Sequence, residues 1–183
     1  MLGWIIGGSV VLVAGVVTLS YYNRFVVLEN RIDNSLSQID VQLKRRADLI
    51  PNLIETVKGF AKHEKEAIQA VSDARKALVS AKDLTKRVDA DKKLDSALGR
   101  LFAIAENYPD LKANTNFLEL QRELTATEDK VAYSRQFYND SILSYNNLCK
   151  AFPGVLFAGI FKKQAKEYLK IAPSEREVVK VKF

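Results

Sequence analysis

FVVLENRIDNSLSQIDVQLKRRADLIPNLIETVKGF, residues Phe25 to Phe60, repeats apolar side chains with a seven-residue rhythm. Phe25, Ile32, Leu36, Ile39, Leu43, Ile50, Leu53, Val57 and Phe60 fall on alternating steps of four and three, the spacing that lines one face of an α-helix. Two further positions on this seam hold Glu29 and Arg46 instead of apolar residues. Pro51 lies inside the pattern, and a kink is expected there because proline removes a backbone donor and crowds the preceding turn. The helix is expected to end between Phe60 and His63.

Upstream, Leu2 to Tyr22 (LGWIIGGSVVLVAGVVTLSYY) carries no charged side chain. Twenty-one helical residues rise about 31 Å, close to the ~30 Å hydrocarbon core of a bilayer. Trp4 at one end and Tyr21 and Tyr22 at the other suit the two membrane–water interfaces. A cleaved signal peptide, the rival reading, expects a charged leading region and a shorter apolar run. Here nothing charged precedes the run except the terminal amine. Arg24, Arg31, Lys44, Arg45 and Arg46 follow it, so the positive-inside rule expects the N-terminus outside and the rest in the cytoplasm. Gly3 and Gly7 form a single GxxxG, a helix-packing pattern of low specificity. The chain divides into an anchor (1–23), a helical bundle and stalk (24–152) and an apolar-then-basic C-terminal segment (153–183).

Downstream, the spacing predicts a second helix over Glu64 to Ala81 with Ile68, Val71, Ala74 and Leu78 inside. A third covers Leu84 to Glu106 with Val88, Leu94, Leu98, Leu101 and Ile104 inside. A fourth runs from about Asn114 to Phe152 along Phe117, Leu120, Leu124, Val131, Tyr138, Ile142 and Tyr145. Pro153-Gly154 ends it, and a period of two appears only in Val178 to Phe183. The fold class is therefore all-α: a transmembrane helix continuing into an elongated antiparallel four-helix bundle with two long and two short helices. The long helices outrun the short ones, so Phe25 to Ile39 should pair with Tyr133 to Leu148 as a two-helix stalk. Two helices alone cannot bury a wide apolar face. Phe25, Ile32, Leu36, Phe137, Tyr138, Ile142 and Tyr145 are therefore expected to pack against other copies of the chain. The alternative is that they fill one intramolecular core.

Counting along the antiparallel pair brings Arg46 to the level of Glu128 and Asp129. A guanidinium on the seam needs a carboxylate, so an ion pair of Arg46 with Glu128 or Asp129 is expected, fixing register. The same count returns Phe152 to the level of Arg24. Beyond it VLFAGIF (Val155 to Phe161) is followed by KKQAKEYLKI (Lys162 to Ile171). An apolar run joined to a basic run at a bilayer surface reads as an interfacial segment, with Phe157, Phe161, Lys162, Lys163 and Lys166 meeting lipid; the alternative is that it folds back on the stalk or onto a neighbouring subunit. From Lys150 onward eight Lys or Arg stand against three acids, so the tail carries +5 of the formal net charge of +6. With no nucleic-acid motif and an anchor in the same chain, membrane lipid is the expected partner, not nucleic acid. The single cysteine, Cys149, excludes an intrachain disulfide and reads as a small apolar residue near a helix end.

Several longer strings carry a resemblance. They are IDVQLKRRADLIPNL (Ile39 to Leu53), VKGFAKHE (Val57 to Glu64), YPDLKAN (Tyr108 to Asn114), FLELQ (Phe117 to Gln121) and LTATED (Leu124 to Asp129). Tyr138-Asn139 and Tyr145-Asn146 complete the set. The chain closely resembles the LemA family of bacterial membrane proteins, from the anchor to Val181-Lys182-Phe183. It departs from the family in the tail, where relatives usually carry a Pro-containing, acidic version. The resemblance implies an N-terminal anchor, an elongated helical bundle and no catalytic residues; with the charge rule, the expected location is the bacterial inner membrane. Some relatives take part in building magnetosome membranes, which implies membrane shaping; others carry a lipoprotein-type signal.

The remaining residues offer little chemistry. His63 is the one histidine, so no HExxH exists, and His63-Glu64 at a helix start reads as a solvated pair. No GxxxxGK[ST], GxGxxG or GxSxG is present. The carboxylates sit at helical spacings among Lys and Arg, as on solvated faces. Asn139-Asp140-Ser141 matches a glycosylation sequon, without weight in a bacterial-type cytoplasmic domain. No cofactor and no metal are expected. Two functions fit: a membrane-anchored scaffold that forms a homo-oligomer, or an adaptor or sensor recruiting another membrane protein such as a protease or transporter.

Overall fold

The computed structural model describes residues 1–169; the Val178 to Phe183 alternation and the basic residues from Lys170 on lie outside them. The described residues form six helices and no strand: α1 (Leu2–Phe60), α2 (Lys65–Ser80), α3 (Leu84–Ala105), α4 (Pro109–Lys112), α5 (Thr115–Lys150) and α6 (Gly154–Ile160). The protein is all-α, with two long helices and two shorter ones where the apolar periodicity expects them. The additional helices are a single turn, α4, opened by Pro109 at its first position, and α6, which takes up most of the VLFAGIF run. The chain divides into two compact units, one of Gln38–Ser134 and one of Met1–Ser37 with Arg135 onward.

In the Gln38–Ser134 unit four helical segments share one core. Ile39, Leu43, Ile50, Leu53 and Val57 from α1 are buried, as are Ile68, Val71, Ala74 and Leu78 from α2. Val88, Leu94, Leu98 and Leu101 join them from α3, and Phe117, Leu124 and Val131 from α5. Ile104 is only half-buried, and Phe60 is exposed where the seam expected it inside. The reason is local: α1 stops at Phe60 and Ala61 takes the buried place one turn after Val57. The Asp83 side chain caps α3 by accepting from the Lys86 N–H at 2.8 Å. Asn114 does the same for α5, accepting from the Phe117 N–H at 3.0 Å.

Pro51 lies inside α1 and has no N–H to offer the carbonyl of Ala47, four residues back. That carbonyl accepts instead from Arg75 Nε of α2 at 2.8 Å. The helix runs on through the proline because a neighbouring helix supplies the missing donor.

In the other unit, the first residues of α1 expose their apolar side chains and pack against nothing. The most apolar 18-residue window of this helix has a mean hydropathy of 2.2, and the helix is long and apolar enough to cross a membrane. Ser9, Thr18 and Ser20 each donate to a carbonyl one turn back, so their hydroxyls need no partner outside the helix. Past this stretch α1 pairs with α5. Phe25, Ile32, Ile142, Tyr145 and Cys149 form a core that Ala158 of α6 completes.

This arrangement removes four of the seven expected subunit contacts from the surface. Phe25, Ile32, Ile142 and Tyr145 are buried within one chain, and Leu36, Phe137 and Tyr138 are half-buried. The two helices are not alone, because α6 lays Phe157 and Phe161 across them. Gly154 makes the return possible. A Cβ there would sit well inside contact distance of the Leu148 carbonyl oxygen. At the far end of α6, Lys163 N–H donates to Ala158 O and Lys162 N–H to Gly159 O, with Lys162 at φ 52°. This is a Schellman ending with lysine in the left-handed position that glycine usually occupies. The chain then leaves helical structure, and residues 163–169 are neither helix nor turn.

Candidate functional site

The Met1–Ser37 and Arg135-onward unit brings together the residues expected at the membrane surface, but uses them unevenly. Tyr21 stacks on Phe157 with ring centroids 4.4 Å apart, and Tyr22 meets Phe161 edge-on at 5.4 Å. Phe161 also meets Phe25, which in turn meets Tyr145. Aromatic side chains at the end of the apolar span thus carry α6 with them. Trp4, near the other end of the span, is exposed.

The basic segment is a correction. Lys163 was expected to face lipid, but its ammonium donates to both oxygens of Glu29, at 2.9 and 2.8 Å. Glu29 holds a seam position among apolar residues, and a half-buried carboxylate there needs a cation. The Tyr145 hydroxyl donates to the same carboxylate at 3.3 Å. Lys166 Nζ lies 5.5 Å above the Tyr145 ring, and Lys162 extends into solvent. Burial, with the neighbouring Cys149 and Glu29, holds the Tyr145 hydroxyl well above the ordinary tyrosine range. Burial likewise pushes the Cys149 thiol up.

Two asparagines hold the same segment by its main chain. Asn146 donates to the Lys166 carbonyl at 2.9 Å and accepts from the Lys166 N–H at 2.8 Å. Asn139 treats Leu169 in the same way, at 3.2 and 2.9 Å. These are the asparagines of Tyr138-Asn139 and Tyr145-Asn146.

The α1/α5 pair also carries an open groove of about 550 Å³, lined by Tyr21, Arg24, Val27, Leu148, Phe152 and Gly154 among others. Arg24 and Phe152 share it, as the antiparallel count requires. Phe152 is 81% exposed and Val27 57%.

In the Gln38–Ser134 unit the Arg46 guanidinium is 1% exposed and meets three carboxylates. It donates to Asp91 at 2.9 Å and Glu128 at 3.3 Å, and forms an ion pair with Asp95. Of the two partners expected, Glu128 is present, whereas Asp129 stays exposed and makes no ion pair with Arg46. Asp91 and Asp95, one turn apart on α3, escaped the sequence reading because the register count covered only α1 and α5. An i,i+4 carboxylate pair beside the apolar positions Leu94 and Leu98 was the signal available. Burial raises the Glu128 pKa above its ordinary value, as does neighbouring Asp95, against the pull of Arg46. One cation among three carboxylates ties α1, α3 and α5 together at one level.

The model of the LemA family matches residues 35–183, most of the chain. The chain belongs to the LemA family. It is 28% identical over 131 residues to Protein LemA of Metamycoplasma hominis, covering 71% of this chain and 60% of that protein. It is 28% identical over 190 residues to Magnetosome protein MamQ of Magnetospirillum gryphiswaldense, covering 89% of this chain and 70% of the relative. It is 26% identical over 182 residues to Magnetosome protein MamQ 2 of Paramagnetospirillum magneticum, covering 85% and 67%. The family strings have structural duties here. IDVQLKRRADLIPNL carries Arg46 and Pro51. YPDLKAN and VKGFAKHE meet where the Tyr108 hydroxyl donates to Glu64 at 2.6 Å. LTATED supplies Glu128. Family and apolar α1 together describe a membrane-associated, LemA-type protein.

Proposed function

We propose that this LemA-family chain is a non-catalytic scaffold, anchored in a bacterial inner membrane, that self-assembles through the open groove of its α1/α5 pair. The observation that carries the reading is the apolar surface left beside the anchor. Val27 and Phe152 line the groove and remain exposed, although Phe25, Ile32, Ile142 and Tyr145 are buried beside it. A contiguous apolar patch on a folded unit marks a place where another surface packs. A second copy is the nearest available surface, because every copy is confined to the same membrane. Organising or shaping that membrane is the role such an array serves. Arg24 and Arg31 directly after the span support an orientation with the N-terminus outside and the folded units in the cytoplasm.

Multi-angle light scattering of the full-length protein in several detergents tests the proposal: a homo-oligomer is expected in each, and a monomer throughout would refute it. An adaptor that recruits another membrane protein, such as a protease or transporter, would use the same groove. It predicts instead that crosslinking in cells captures a dedicated partner rather than self-contacts.

A further inference from the structure

The segment Lys163–Leu169 lies on the α1/α5 pair as a bound peptide would. Each asparagine carboxamide gives one hydrogen bond to a residue's carbonyl and takes one from the same residue's N–H. Such a group reads main chain, whatever the side chain. The spacing is matched as well. Asn139 and Asn146 are seven residues apart, a rise of about 10.5 Å along a helix. Lys166 and Leu169 are three residues apart, about 10 Å in extended chain. Two turns of α5 thus present carboxamides in step with every third residue of an extended chain running the opposite way.

Side-chain selection comes from two other groups. Glu29 takes the Lys163 ammonium, and the Tyr145 ring lies beneath the Lys166 ammonium. The face of the α1/α5 pair that carries Asn139, Asn146, Glu29 and Tyr145 therefore selects an extended segment with cations three residues apart. Everything it recognises is identical in every copy of the chain.

We propose that this face, opposite the open groove, is a receptor site for an extended basic segment, and that it accepts Lys163–Leu169 from a second copy as well as its own. The proposal rests on the self-assembly reading and adds to it a second contact, on the face opposite the open groove. It commits to a second copy because the charge pairing and the main-chain spacing are those of this segment. Exchange would link neighbouring scaffolds by swapping their C-terminal arms.

Charge reversal separates binding within a chain from binding between chains. Glu29→Lys leaves the segment native and reverses the receptor face; Lys163→Glu does the opposite. The full-length proteins are reconstituted in lipid, singly, as a one-to-one mixture and as the double variant in one chain. Hydrogen exchange is read at the Lys166 and Leu169 amides, which Asn146 and Asn139 accept. Exchange at these amides is expected to rise about tenfold or more in each single variant. The double variant is expected to restore protection, which also verifies folding. The mixture is expected to restore it too, because each receptor face then meets a complementary segment from the other chain. A mixture as exposed as the single variants, beside a protected double variant, would overturn exchange between copies. Single variants as protected as the unaltered protein would overturn the site itself. Molar mass measured on the same samples keeps either failure distinct from a failure of self-assembly.

Discussion

Pro51, Ala47 and Arg75 allow the account of the bundle to be tested one hydrogen bond at a time. Arg75→Met keeps most of the apolar stem but removes the donor to the buried Ala47 carbonyl. A hydrogen bond from a charged donor contributes about 1.5–3 kcal/mol, and an unsatisfied buried carbonyl costs a similar amount. Arg75 is half-buried, so the lower end applies, and a loss of about 1.5 kcal/mol is expected. Pro51→Ala supplies an N–H to the same carbonyl and replaces a residue that is about 3 kcal/mol worse than alanine inside a helix. In that background the Arg75 bond becomes redundant, and Arg75→Met should cost less than about 0.5 kcal/mol. The coupling between the two sites is then about 1 kcal/mol. Urea unfolding of the four proteins in detergent, followed by circular dichroism, measures it. An Arg75→Met cost equal in both backgrounds would refute the reasoning and assign the effect to packing of the arginine stem.

Three further outcomes follow from the same geometry. Glu128 has a raised pKa in the folded protein, so the native state holds its proton more tightly than the unfolded chain. Stability should therefore fall as pH rises from the ordinary glutamate value through the raised one, and Glu128→Gln should flatten that slope in unfolding curves measured across this window. Gly154→Ala should push α6 off the Leu148 carbonyl at a cost of about 1–3 kcal/mol, read as faster exchange of the Ala158 and Phe161 amides; unchanged exchange would contradict the close approach. Lys162→Gly should stabilise the α6 ending by about 1 kcal/mol, because lysine holds a left-handed conformation there; a loss of stability on thermal unfolding would contradict the Schellman reading.

Most of the helical architecture was legible because apolar spacing is a strong local signal. Helix ends fell within two residues of those expected, and Glu29 and Arg46 stood out as charges on an apolar seam. What stayed hidden was set by non-local geometry. The partner of Glu29, Lys163, lies in a segment whose composition reads as basic and surface-bound. Lys166 and Leu169 of that segment are held by their main chain, which no side chain of the segment signals; the trace is in the receptor, as Tyr-Asn repeated after seven residues. Asp91 and Asp95 are hidden because the spacing of α1 and α5 does not say at what level α3 passes Arg46. The fate of Phe25, Ile142 and Tyr145 turned on α6, which was read as an interfacial run although Gly154 permits a tight return.

The central claim is that copies meet through the open groove beside the anchor. Disulfide crosslinking in native membranes tests it directly. Differently tagged chains carry Val27→Cys or Ser144→Cys, with Cys149→Ser to remove the native thiol, and Lys76→Cys on α2 serves as the control. Crosslinks between copies at the groove positions, and none at the control, are the expected result. Groove cysteines that never join two copies, in a membrane that holds both, would contradict it.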